Sequence, residues 1–274
     1  MQKRKIWKIL GKIFLWLFLL GAISLGVFKK LRHLVLSNIT LVRFLSTYTP
    51  YASYVTPKPL RPEYGVALYQ LMKDIHDVLE VCHIPYWIEA GTLLGAVRHG
   101  GIIPWDDDID TQIHEKDCSV FVKKAIPLFK ALGYGVSYFS KHGGVRVWMS
   151  PKKITLLQDE VLPGADIFYA KEKKPGELFI WGCKKSLKLA ALLPLKRYAF
   201  GALWVWGPAN PIPYLEELYG KNWNTMAKRG NDHSTIHKRS QHETFILEDF
   251  SPLRPFGPLE DHRIWLEKKS RTQP

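Results

Sequence analysis

The stretch from Glu89 to Asp110, EAGTLLGAVRHGGIIPWDDDID, constrains this chain more than any other. It opens on a Gly-Thr pair, runs through a short apolar segment and an Arg-His-Gly-Gly turn, and ends with four aspartates in five residues. Carboxylates packed that closely repel one another, so a fold that gathers them needs a cation among them. A strand sends residues two apart to one face. Asp108 and Asp110 therefore project together, with Ile109 buried behind them. Asp106 joins that face if the strand starts early; Asp107 faces away or caps the turn after Pro104. Mg²⁺ or Mn²⁺, which take hard oxygen ligands from carboxylates and substrate phosphates, suit this geometry. The bland alternatives are a solvated acidic loop or a calcium loop, but the EF-hand offsets for Gly and Glu are absent.

The lead-in to the aspartates fits phosphate binding. Residues 84–90 read as a strand that enters Gly91-Thr92, and LLGAVRH after it reads as a short helix. A helix N-terminus with unpaired N–H groups is a phosphate cradle, and glycine lets a phosphate approach the backbone closely. Arg98 and His99 leave that helix just ahead of the acidic cluster. Arg98 can grip a phosphate with two N–H groups, or pair with an aspartate, which also places it in the site. A third carboxylate is expected from a neighbouring strand, and Asp166 in Ala165-Asp166-Ile167-Phe168 supplies one. Its local setting fits a turn-capping aspartate equally well.

The rest of the chain reads as support. Residues 64–82 carry apolar side chains at helical spacing, with His76 among them as a polar-face or core histidine. Residues 117–132 look helical, with Pro127 as a candidate kink. Strand-like runs follow at 135–140, 145–150, 154–157, 165–170 and 178–183. Residues 186–195 are ambiguous, 197–206 read as a hairpin-like pair, and 212–219 as a short helix stopped by Gly220. After residue 225 the chain is polar and Pro-rich with a weak fold signal.

Charge and hydropathy divide the chain. Of 39 Lys and Arg, eleven lie in residues 1–62, where there is no Asp or Glu; the remaining 28 face 25 acidic residues. The basic excess therefore belongs to the N-terminal segment and marks membrane flanks, with no nucleic acid as partner. Residues 9–28 have Lys12 as their one charge and are long enough to span a bilayer as a helix. Phe28 followed by Lys29-Lys30 is a poor cleavage region, so an uncleaved signal anchor is expected rather than a cleaved signal peptide. The division expected is a cytoplasmic tail at 1–8, an anchor at 9–28, a Ser/Thr/Tyr/Pro-rich stem at 29–62, a catalytic domain at 63–225 and a polar extension at 226–274. Asn38-Ile39-Thr40 is a sequon and fits a lumenal domain. Cys82, Cys118 and Cys183 form no C-x-x-C pair, which argues against a cysteine zinc site and leaves open one disulfide or none. His233, His237, His242 and Asp232 have a zinc-like spacing, but without the apolar pattern of a packed helix they read as a solvated loop.

The signature AGTLLGAVRHGGIIPWDDDID, together with ADIF and RYAFGALWVWGPANPIPYLEELYGKNW, resembles the LicD family, which includes the fukutin and fukutin-related proteins. The likeness runs roughly from Tyr64 to Trp223. It implies an α+β fold with a DNA polymerase beta-like nucleotidyltransferase core, a mixed sheet with flanking helices. It makes Gly91-Thr92 the turn, Asp108 and Asp110 the paired catalytic metal ligands and Asp166 the third; Thr92 stands where Ser is common. The implied activity is metal-dependent transfer of phosphocholine or a polyol phosphate from a CDP-linked donor to a glycan or glycoprotein. Asp166 would accept the acceptor's proton, Arg98 and Arg146 would hold phosphate oxygens, and Glu89 would orient the site. Arg146 as a sheet-surface charge fits equally. The setting implied is a type II membrane protein of the Golgi or endoplasmic reticulum with a lumenal catalytic domain.

Two readings compete. A Golgi glycosyltransferase would use Asp-x-Asp with a sugar nucleotide, but only residues 63–107 precede the motif here, too few for a Rossmann-like half. A non-catalytic glycan-binding relative would have little reason to keep Asp108, Asp110 and Asp166 together.

Overall fold

The computed structural model describes residues 59–139, 143–156, 160–179, 186–231 and 240–272. The expected anchor, the sequon at Asn38, Cys183 and the His233/His237 pair lie outside the described residues. Among the described residues no helix is long and apolar enough to cross a membrane.

The chain forms two compact units. Of the described residues, one comprises those within 59–222, residue 231 and 249–272, and the other comprises 223–230 and 240–248. In the first, helix α1 (Pro62–Val81) starts with Pro62 in the first turn, where a missing N–H costs nothing. Its face of Leu68, Leu71, Met72, Ile75, Val78 and Leu79 is fully buried. His83 ends it in the left-handed conformation common after helices. His76 shares a hydrogen bond of 2.8 Å with the Tyr86 hydroxyl, so it is a satisfied, half-buried histidine.

A seven-stranded mixed sheet packs on α1. Its strands are β1 (Tyr86–Ile88), β2 (Asp108–His114), β3 (Gly135–Tyr138), β4 (Gly144–Trp148), β5 (Gly164–Lys174), β6 (Glu177–Phe179) and β7 (Leu187–Lys188). The main order is β1-β2-β5-β4-β3, with β6 pairing β5 and β7. Only β2 and β5 run parallel; the other pairings in this sheet are antiparallel. Helix α2 (Ala90–Arg98) joins β1 to β2. Between β2 and β3 the chain forms α3 (Cys118–Val120), a π-helical turn (Phe121–Ala125) and α4 (Ile126–Ala131). The widened turn lies just ahead of Pro127, which cannot donate the usual helix hydrogen bond.

Helix α5 (Leu189–Leu192) resolves the ambiguous stretch together with β7. Strands β8 (Lys196–Phe200) and β9 (Leu203–Gly207) form the hairpin, and α6 (Ile212–Tyr219) ends at Gly220, whose φ is +84°. The strand expected at 154–157 is not formed by residues 154–156; there Arg61 donates to the Thr155 carbonyl at 3.1 Å while it pairs with Glu160. Cys82 and Cys118 are free thiols.

Residues 249–272 differ most from expectation, because they belong to the same compact unit as residues 59–222. Leu253, and Leu266 in helix α7 (Arg263–Arg271), are buried despite the polar composition around them. Gln70 exchanges two hydrogen bonds with the Glu260 backbone, and buried Asp74 bonds both His262, at 2.8 Å, and Tyr134, at 2.5 Å. The pairing is through long-range polar contacts, which an apolar periodicity does not reveal. Strands β10 (Met226–Asn231) and β11 (Ser240–Ile246) pair as a separate two-stranded sheet.

Candidate active site

The site forms where β2 and β5 begin side by side. Their parallel register sets Asp110 opposite Asp166 and Asp108 opposite Gly164. The strand period turns Asp108 and Asp110 to one face and buries Ile109, Ala165 and Ile167 on the other. Carboxylate oxygens of Asp108, Asp110 and Asp166 all lie within 4.8 Å of one another. A second group, Asp106, Asp107 and Asp108, meets the same limit. Such a set of hard oxygen donors fits a divalent cation.

Electrostatics agree with that fit. Burial pushes the Asp110 carboxyl well above its ordinary range, and Asp108, Glu89, Asp106 and Asp166 push it further. Glu89 is raised too, first by burial and then by Asp166, against a hydrogen bond from Tyr214. A cation at the cluster would relieve this repulsion.

The Glu89–Thr92 turn holds Asp110 at both of its peptide groups. The Asp110 N–H donates to Thr92 Oγ1 at 2.8 Å, and its carbonyl accepts from the Glu89 N–H at 3.1 Å. Thr92 is thus a tether between α2 and β2. Gly91 is required by close approach: a Cβ there would meet the Asp106 carboxylate. The flank of Gly91, expected to admit a phosphate, holds Asp106 instead. The Ala90 N–H donates to the Tyr214 hydroxyl at 3.0 Å.

Two arginines border the acids. Arg146 on β4 lies opposite Asp166 and donates to its Oδ1 at 3.0 Å. Its guanidinium crosses Gly164, where any Cβ would collide with it. Arg98 is pushed down to about 10 by burial, which Tyr219 and Asp106 oppose, and it stays charged at neutral pH. Its Nε–H donates to His99 Nε2 at 3.1 Å, and His99 Nδ1 then bonds the Ser251 carbonyl at 3.3 Å. His99 is therefore the neutral tautomer, pushed down to about 4 by burial and by Arg98. It sits behind Arg98 and is buried away from solvent.

The structure brings Glu89, Gly91, Thr92, Arg98, Asp108, Asp110, Arg146 and Asp166 around one cluster. Sequence reasoning left out Tyr214 and Tyr219 of α6, and placed Asp106 on the ligand face only if β2 started early. Burial and the fields of Asp106 and Asp110 hold the Tyr219 phenol well above its ordinary range, so it is a neutral hydroxyl beside the acids. Both tyrosines stand in IPYLEELY, where Tyr214 is buried beside Leu215 while Glu216 and Glu217 face solvent. The two hydroxyls are a signal of polar partners, but not of which ones.

Residues 83–210 match the LicD/FKTN/FKRP nucleotidyltransferase domain. The uncharacterized protein RP689 of Rickettsia prowazekii is 38% identical over 218 residues, covering 72% of this chain and 73% of that protein. The ribitol 5-phosphate transferase FKRP of Homo sapiens is 49% identical over 51 residues, 19% of this chain and 10% of FKRP. The lipopolysaccharide cholinephosphotransferase LicD of Haemophilus influenzae is 43% identical over 63 residues, 23% of each. The matched segment of this chain thus corresponds to a tenth of FKRP and under a quarter of that LicD. By the domain match and the long alignment with RP689, the chain belongs to the LicD family.

Proposed function

We propose that this protein is a divalent-metal-dependent phosphotransferase that moves a phospho-alcohol from a CDP-linked donor onto a glycan. Phosphocholine or a polyol phosphate such as ribitol 5-phosphate is the group moved. The observation that carries the reading is the carboxylate trio on β2 and β5, in a family whose relatives include a ribitol 5-phosphate transferase and a cholinephosphotransferase.

Asp108, Asp110 and Asp166 would hold Mg²⁺ or Mn²⁺, which when bound supplies neutralisation of the donor diphosphate's charge. The protein's own groups do the rest. Arg146, partly exposed beside Asp166, takes phosphate oxygens with the N–H groups that Asp166 leaves available. Arg98, aimed by His99, adds a second positive charge, and the neutral Tyr219 hydroxyl donates a hydrogen bond into the same space. Asp166 takes the proton of the acceptor hydroxyl as its oxygen bonds to phosphorus and the bond to the CMP oxygen breaks. Residues 9–28 enter the proposal as the membrane anchor, with the catalytic unit in the lumen of the Golgi or endoplasmic reticulum.

The test is a donor panel on the full chain in detergent, with Mg²⁺ or Mn²⁺ and a glycan acceptor mixture. CDP-choline, CDP-ribitol, CDP-glycerol and UDP-sugars are compared by release of CMP or UDP. Acceptor-dependent CMP release is expected, absent from D108N and D110N. UDP release without turnover of any CDP-alcohol would sink the proposal and favour a glycosyltransferase.

A further inference from the structure

Ala90 has a φ of +43°, one of two positive values at non-glycine residues among the described residues; the other, His83, ends a helix. A left-handed conformation costs a residue with a Cβ roughly 1–2 kcal/mol and persists only where its surroundings hold it. Here it sets the direction in which α2 leaves β1. The surrounding hold is Tyr214. Its hydroxyl accepts the Ala90 N–H at 3.0 Å and donates to the Glu89 carboxyl. Tyr214 and Glu89 are each 2% exposed. The adjoining cavity, lined by Trp87, Leu93, Pro208 and Tyr214 among others, is about 10 Å³, at the lower limit for a single water.

This strained turn is also the one that grips Asp110, through Thr92 Oγ1 on its N–H and the Glu89 N–H on its carbonyl. We propose that Tyr214 is a positioning residue: its hydroxyl fixes the Glu89–Ala90 turn, and through that turn the place at which Asp110 meets a divalent cation. The inference rests on reading Asp108, Asp110 and Asp166 as a cation site. Phenylalanine would fill the same space but leave Ala90 without its hydrogen-bond acceptor and Glu89 without its donor. The turn would then be free to relax from its left-handed conformation and carry the Asp110 peptide with it.

Mn²⁺ binding to the full chain, read by electron paramagnetic resonance without any donor, tests this. Y214F should bind Mn²⁺ at least ~10-fold more weakly than the unmodified chain, in line with losses when groups that orient metal ligands are removed. Glycine adopts positive φ without help, so Ala90→Gly placed in Y214F should recover at least half of that loss on a logarithmic scale. A purely structural role for the hydroxyl predicts no such rescue. Folded Y214F with unchanged affinity overturns the proposal, as does a folded double variant that recovers nothing. If Y214F does not fold, the double variant decides: affinity within about threefold of the unmodified chain supports the proposal, and ~10-fold weaker binding overturns it. If the unmodified chain binds no Mn²⁺, the cation reading itself fails, an outcome distinct from the others.

Discussion

His99 shows how one residue of the acidic signature acts through another. It accepts from Arg98 and donates to the backbone of Ser251, so it holds a cation in place without carrying charge itself. Its folded pKa, about 4, lies below the ordinary 6.5. Between those values the unfolded chain binds a proton that the folded chain does not. Stability from this group is therefore complete above pH 6.5 and is lost as pH falls towards 4. Between pH 7 and pH 5 the loss is about 2 kcal/mol. Urea unfolding at the two pH values should show it in the unmodified chain and not in His99→Gln. Parallel pH dependences in the two proteins would refute it. The same proton logic explains why Arg98 remains a usable charge: its neighbour imidazole stays neutral across the physiological range.

Among the elements, α7 and the segment before it were the least expected part of the larger unit. Leu266 is fully buried, whereas its neighbour Trp265 is 43% exposed. Ranking by hydrophobic size alone would reverse their importance. Leu266→Ala should destabilise the fold by about 2–5 kcal/mol, and Trp265→Ala by clearly less. Thermal unfolding of the two variants checks this, and equal losses would show that α7 is not docked on α1. The docking matters to the site, because Ser251, in the segment that leads to α7, anchors His99. Of the elements around the cluster, β1, α2, β2 and α6 were readable from alternation, helical spacing and the stop at Gly220. The α7 docking was not, because Gln70, Asp74 and His262 carry no apolar period.

At the scale of the whole molecule, a site of crowded carboxylates sets stability against function. Burial and the neighbouring carboxylates, which together raise Asp110, are a cost to the folded state, and a bound cation would offset the repulsion. Mn²⁺ or Mg²⁺ at about 100 times its dissociation constant should stabilise the protein by ~2.7 kcal/mol. For a unit of this size that is a rise in melting temperature on the order of 5–10 °C. Asp110→Asn should melt higher than the unmodified chain without cation and gain little when cation is added. An equal gain in both would mean that the ion binds elsewhere.

Local order in the chain determined much of this. The two-residue period of Asp108-Ile109-Asp110, the break at Gly91-Thr92 and the spacing in α1 and α6 dictate which residues form each element and which face they offer. Those are short-range consequences of backbone geometry. Tertiary structure alone decided which elements meet. Asp166 is a site residue because the parallel register of β2 and β5 sets it opposite Asp110, and a shift by one residue would have turned it to the other face. Tyr214, Tyr219 and Ser251 reach the site from segments distant along the chain, Tyr214 and Ser251 by hydrogen bonds that any polar residue could make and Tyr219 by burial beside the acids. Which of them does so depends on packing across the whole unit, and no local pattern records it.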